Sequence, residues 1–219
     1  MHWQIRNKRA LAIWIAIAAT AVGASGQVQH QHHPPQDAGE YARVLEDPSR
    51  DEWQKPHEVV MALALKSTDA IADIGAGTGY FSRRFARHAG KVYAVDLDAR
   101  LLEIAAKNAP PNLVTVLAAP DDPKLPDASV DTIFFCDVLH HIDARPAYYE
   151  KLKRALKPGG RIVMVDFYKK PLPVGPPPEM KLSAEQVEAE MAAAGFRKTR
   201  SYDFLPHQYF MEFEVRRTR

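Results

Sequence analysis

The chain has 219 residues, of which 46% are hydrophobic, 26% charged and 9% aromatic; this supports one globular domain with a sizeable core and excludes a disordered or low-complexity chain. Its 29 basic and 27 acidic residues give a formal charge of +2, but Arg6, Lys8 and Arg9 stand in the first ten positions, and the rest is balanced at 26 against 27. The body therefore has no basic excess of the kind a nucleic-acid surface needs, and its single cysteine, Cys136, excludes an intramolecular disulfide.

The first predicted element is a leader. A basic stretch to Arg9, an apolar run over 10–22 and the small residues Gly23, Ala24, Ser25 and Gly26 have the order of a signal peptide over 1–26, cut after Ala24 or Gly26, which predicts export to the periplasm or the medium. As a helix the apolar run reaches roughly 20 Å, short of the roughly 30 Å bilayer core, so no stable membrane span is expected after cleavage. The alternative is a chain tethered by an uncleaved segment. Residues 27–47 read as a polar linker rich in His and Pro, ending in a short helix over 40–47. His30, His32 and His33 could meet a metal ion, but no carboxylate or thiolate completes a set nearby, and no metal site is expected. The main domain is assigned to 48–219.

Within it a helix is expected over 58–65, then strands over 70–74, 91–96, 114–117, 132–136 and 161–167, with helices over 81–88, 99–108 and 146–156 between them. Strict alternation predicts a doubly wound α/β domain: a seven-stranded, mostly parallel sheet with helices on both faces. Cys136, at the end of an apolar strand, reads as a buried small hydrophobe. After a proline-rich stretch over 170–178, Ser183 and Gln186 give a capping signal for a helix over 183–194 that Gly195 ends. Strand-like runs over 197–204 and 208–215 are joined too closely for a parallel crossover, so one antiparallel strand is expected near the C-terminus.

The chemistry concentrates after the first strand, in the run from Asp73 through Gly75, Gly77 and Gly79 to Tyr80. Glycines there allow a tight turn and close ligand approach, and the following helix start offers free N–H donors. Tyr80 occupies a position where a dinucleotide fingerprint needs a small residue, which disfavours NAD or FAD. Asp96 ends the second strand and can accept both hydrogen bonds of a ribose diol; Asp98 suits the role of capping the next helix better. After the third strand, Asp121 or Asp122 can accept the exocyclic amine of adenine, with an acidic turn as the structural alternative.

The runs DIGAGTGYF, VYAVDLD, APDDPKLP, SVDTIFFCDVLHHI and LKPGGRIVMVDF together resemble the successive motifs of class I S-adenosylmethionine-dependent methyltransferases of the small-molecule group, over about half of the chain. The flanking runs EDPSRDEWQKPHEV, PVGPPPE and FLPHQYF are similar to an exported subset of that family. The resemblance implies that Gly75, Gly77 and Gly79, with Asp73 beside them, hold the methionine part of the donor, that Asp96 binds ribose and that Asp121 binds adenine. Proline before Asp121, where many relatives have glycine, leaves Asp122 open. The implied reaction is in-line methyl transfer to a small molecule, with a donor-binding protein lacking catalysis as the alternative.

A base is needed only if the acceptor arrives protonated, and His140 and His141 are candidates; in the resembled family this run also serves as structure and donor lining. Trp53, Gln54 and Lys55 could fold over the donor, with Trp53 equally readable as a packing anchor. His207 and Tyr209 are candidates for the acceptor side.

Overall fold

The computed structural model describes residues 37–107 and 109–216. The leader and the three linker histidines lie outside them. Five strands, β1 (Ala70–Ile74), β2 (Lys91–Asp96), β3 (Leu113–Leu117), β4 (Val130–Cys136) and β5 (Leu156–Phe167), alternate with α4 (Ser82–Phe85), α5 (Ala99–Ala106) and α6 (Arg145–Ala155). Before them stand α1 (Ala38–Leu45), α2 (Arg50–Gln54) and α3 (Pro56–Ala62); after them come α7 (Ala184–Ala193), β6 (Phe196–Tyr202) and β7 (Gln208–Val215).

The sheet order is β3-β2-β1-β4-β5-β7-β6, and all pairings are parallel except those of β7 with β5 and β6. That is the expected doubly wound sheet with one reversed strand. Side chains alternate across it, so each face has its own core. On one face Ala72, Ile74, Ile133, Phe135 and Met164 pack against Tyr149 and Leu152 of α6 and Val187 and Met191 of α7. On the other, Ile71, Val92, Phe134 and Val163 meet Val59 and Val60 of α3, Leu63 just after it, and the rings of Phe81 and Phe85. With both faces covered, β1 is buried at every position.

The caps follow the sequence. Asp98 accepts from Arg100 N at 2.9 Å and starts α5, and Ser183 accepts from Gln186 N at 3.1 Å and starts α7, which Gly195 follows with φ 82°. The helix expected over 81–88 is only four residues of α geometry, because the next turns close on three-residue bonds, Arg87 N to Arg84 O and His88 N to Phe85 O. β5 starts five residues earlier than expected, its first pair Val130–Leu156 set off by a register shift from the rest. Among the described residues no helix is long and apolar enough to cross a membrane.

β1 and β4 are neighbours whose following connections lead to opposite halves of the sheet, and a crevice opens at their C-terminal ends. This is where open α/β sheets hold ligands.

Candidate active site

The crevice is a cleft of about 1380 Å³, larger than a pocket for one drug-sized ligand. Its floor is the turn after β1. Gly75 and Ala76 N–H both donate to Val95 O, at 2.8 and 3.0 Å, which ties the turn to β2. Gly75 has φ 70°, and a Cβ on it would stand 2.4 Å from Val138 Cγ2 in the turn after β4. Only glycine fits that approach. α1 lies over the turn: Leu45 covers Gly77, and Glu46 accepts from Thr78 Oγ1 and from Arg83 Nη2.

Asp73 lines the cleft but is 3% exposed. Burial pushes its carboxyl up to about 7 even though Ser82 Oγ donates to it at 2.5 Å. Asp96 accepts from Gly77 N at 2.7 Å on one oxygen and from Asp98 N at 2.9 Å on the other. Burial raises its pKa against those backbone donors. A carboxylate has about four acceptor sites, so each oxygen keeps capacity for a diol. Asp121 lines the cleft beyond β3, its carbonyl accepting from Lys151 Nζ at 2.6 Å.

Opposite the glycine turn, the end of β5 places Asp166 beneath the turn after β4. His140 Nδ1 lies 3.0 and 3.2 Å from the two Asp166 oxygens, in a pair 6% and 1% exposed. Burial works against the imidazolium, but the bond to Asp166 and the charges of Asp166 and Asp137 outweigh it and raise the His140 pKa. With Nδ1 engaged, Nε2 is the nitrogen left for the cleft that His140 lines.

A second network runs beneath the other face. Arg50 Nη2 donates to Gln54 Oε1 at 3.1 Å, Gln54 Nε2 to Gln208 Oε1 at 2.6 Å, and Gln208 Nε2 to Asp137 Oδ1 at 2.6 Å. Every donor points toward Asp137, a cleft residue held at φ 58°. Desolvation and the nearby Asp166 push its carboxyl up to about 7. Gln54 and Gln208 are both fully buried.

The cleft thus gathers Asp73, Gly75, Gly77, Asp96, Asp121, His140, His141 and Trp53. Other expected residues lie elsewhere. Gly79 turns its Cβ direction toward Ala105 and Arg83, and Asp122 is engaged by Lys124 in an acidic turn, its carboxylate accepting from Lys124 N at 2.8 Å. Gln54 lies beneath the cleft rather than over a ligand, and Lys55 Nζ donates to Phe204 O at 2.9 Å instead of reaching inward. His207 and Tyr209 fall outside the cleft because strand alternation gives the inward position to Gln208 between them. His207 contributes its carbonyl to Tyr168 N. Tyr209 is buried on the α7 side against Tyr168, its hydroxyl without a hydrogen-bond partner among the described residues. Cys136 is partly exposed at the cleft, but burial raises its pKa well above the ordinary thiol range, so it is not an activated nucleophile. Among the described residues no group of three or more His, Cys, Asp or Glu is placed to hold a metal ion.

Asp166, Gln208, Arg50 and Phe167 were not singled out by the sequence. A carboxylate ending the buried strand run RIVMVDF and an amide opening QYFMEF are the two signals that could have found the first pair.

Comparison with known proteins agrees with this layout. A family described as "Methyltransferase domain" matches residues 72–164. A demethylmenaquinone methyltransferase of Tropheryma whipplei is 33% identical over 107 residues, 48% of this chain and 44% of that protein. Phosphoethanolamine N-methyltransferase 1 of Arabidopsis thaliana is 29% identical over 121 residues, 52% of this chain and 24% of that one. The chain thus spans less than half the length of these curated relatives. A SAM dependent methyltransferase from Aquifex aeolicus, seen in a crystal structure, superposes with a TM-score of 0.75 at 27% identity, covering 81% of this chain and 97% of that one; the two share one fold.

Proposed function

We propose that this chain is an S-adenosylmethionine-dependent methyltransferase acting on a small-molecule acceptor. The observation that carries the reading is the run of donor-side groups along one wall of the cleft: the glycine turn closed on β2, Asp96 with acceptor capacity to spare, and Asp121 beyond β3. A donor with an amino-acid end, a ribose and an adenine fits these in order. The glycine turn, closed on Val138 and Leu45, would hold its amino-acid end, Asp96 would accept from the ribose diol, and Asp121 would accept from the adenine amine. When bound, this donor supplies a methyl group on a sulfonium whose thioether is already a good leaving group.

The protein's own work is alignment and proton removal. Asp166 fixes the His140 ring with Nδ1–H donated to it, so that Nε2 can take a proton from an acceptor; this favours a catalyst over a donor-binding protein. The relatives named for demethylmenaquinone and phosphoethanolamine differ so much in acceptor that kinship alone does not choose between them. The leader adds a proposal of export, which N-terminal sequencing of the native protein at Ala24 or Gly26 tests.

S-Adenosylhomocysteine at about 100 times its Kd should stabilise the protein by about 2.7 kcal/mol, which for a chain this size is roughly 5–10 °C in Tm. NAD should give no shift. The converse would sink the reading. With labelled donor and a metabolite extract of the native cells, label should pass to a small molecule; its persistent absence alongside a normal melting shift would leave the donor-binding protein.

A further inference from the structure

Building on that reading of the cleft, we propose that the acceptor is an uncharged, flat, apolar molecule with an ionisable hydroxyl, of the phenol or naphthol class, seated against Trp53, whose ring Phe167 backs. The argument starts from two consecutive residues at the end of β5. Asp166 points to one face and holds His140; Phe167 points to the other, and its ring lies 5.6 Å from that of Trp53, tilted by 36°. The base and an aromatic wall are therefore carried by one dipeptide.

The wall is preformed. Phe167 is 4% exposed: Gly175 has φ 83°, and a Cβ on it would come within 2.7 Å of the Phe167 ring, so the proline-rich loop covers that ring and Phe167 backs the wall from behind. Val174 and Pro176 extend this surface into the cleft. Lys181, 1% exposed, secures the arrangement: its ammonium donates to Lys170 O at 3.0 Å and stands 5.5 Å from the Phe167 ring centre. A rigid aromatic and aliphatic surface favours a flat apolar ligand.

Charge narrows the class. Among the described residues seven aspartates line the cleft against two arginines, and of the seven Asp98 and Asp121 have cationic partners, Arg100 and Lys151. Arg50 is engaged by Leu45 O and Gln54 and lies over the Tyr80 ring, and Arg100 is paired with Asp98 at 2.6 Å. An acceptor bearing phosphate or carboxylate would meet like charge, with both arginines already committed elsewhere. An ammonium would be held protonated by the same aspartates, and it has no lone pair for attack until its proton is gone. A hydroxyl keeps a lone pair while its proton leaves. In the step that follows, the O–H bond breaks toward His140 Nε2, an oxygen lone pair forms the O–CH₃ bond, and the pair of the breaking C–S bond stays on sulfur, giving a neutral thioether.

The test is calorimetric binding to the full chain at saturating S-adenosylhomocysteine, using 2-naphthol, 6-hydroxy-2-naphthoate and 2-(aminomethyl)naphthalene. We expect 2-naphthol to bind at least tenfold tighter than either charged probe, and Trp53→Ala and Phe167→Ala each to weaken it at least tenfold. Equal or tighter binding of the naphthoate or the amine would overturn the proposal, as would no binding of 2-naphthol to a protein whose melting S-adenosylhomocysteine raises. Failure of S-adenosylhomocysteine itself to bind would instead count against the methyltransferase reading. The comparison of probes on the unaltered chain decides the matter even if a variant fails to fold.

Discussion

Asp96 has two tasks, closing the glycine turn through Gly77 N–H and presenting its remaining lone pairs to the cleft. Asp96→Ala removes both, so donor affinity should fall by about 2–3 kcal/mol, roughly a hundredfold, for loss of hydrogen bonds to a charged group; titration with S-adenosylhomocysteine reads it, and unchanged affinity would show that ribose binds elsewhere. The His140 and Asp166 pair makes a prediction of opposite character. Asp166 holds the His140 pKa up, so Asp166→Asn should move the acidic limb of the kcat profile to lower pH while lowering the plateau about a hundredfold as proton removal suffers. A profile that falls without moving would assign Asp166 a structural role alone. The residues of the glycine turn and Asp96 were legible in the chain because each follows or ends an apolar strand run, although they meet 19 positions apart. Gln54 and Gln208 meet across 154 positions, and nothing local announces such a pairing.

At the scale of elements, the turns after β1 and β4 are interlocked by the contact of Gly75 with Val138. Gly75→Ala should destabilise the protein by about 2–4 kcal/mol, one part from the positive φ and one from overpacking. Adding Val138→Ala should return the second part only, so a denaturant-melt double-mutant cycle should show non-additivity of about 1 kcal/mol; strict additivity would mean that the turns do not press on one another. Of the five parallel strands, β1, β2, β4 and the second half of β5 were legible because burial makes them continuous apolar runs, while β3, at the sheet edge and buried only at Leu113, was marked by its β-branched residues. α2 was not: Arg50–Gln54 is one turn of mostly polar residues, too short for any periodicity, and it is held by what Arg50 and Gln54 reach in other parts of the fold.

Over the whole molecule, the ligand-free cleft concentrates buried acid. Asp73 and Asp137 ionise near 7 in the fold against roughly 3.9 in an unfolded chain, so the folded state binds more protons and stability falls as pH rises from about 4 to 7. The raised His140 adds to this: its contribution is complete below roughly 6.5 and is lost as pH passes its folded value. Carboxylates with lowered pKa, such as Asp98 and Glu190, have made their contribution before pH 5.5. The ligand-free protein should therefore melt at a lower temperature at pH 8.5 than at pH 6, and Asp73→Asn should flatten the difference; a Tm that rises over that range would contradict the buried acids.

The position of β7 bears on the order in which the chain can become competent. β6 is made before β7, yet it joins the sheet only through β7, which lies between it and β5. β6 therefore cannot join the sheet before β7 has been made, whereas β7 can pair with β5 by itself. Glycine turn, Asp96, Asp121, His140 and Asp166 have all been made by then, but Gln208 arrives only with the final strand, and with it the hydrogen bond that fixes Asp137. A chain made only as far as β6 could thus hold its nucleoside-binding half and still lack a finished acceptor half.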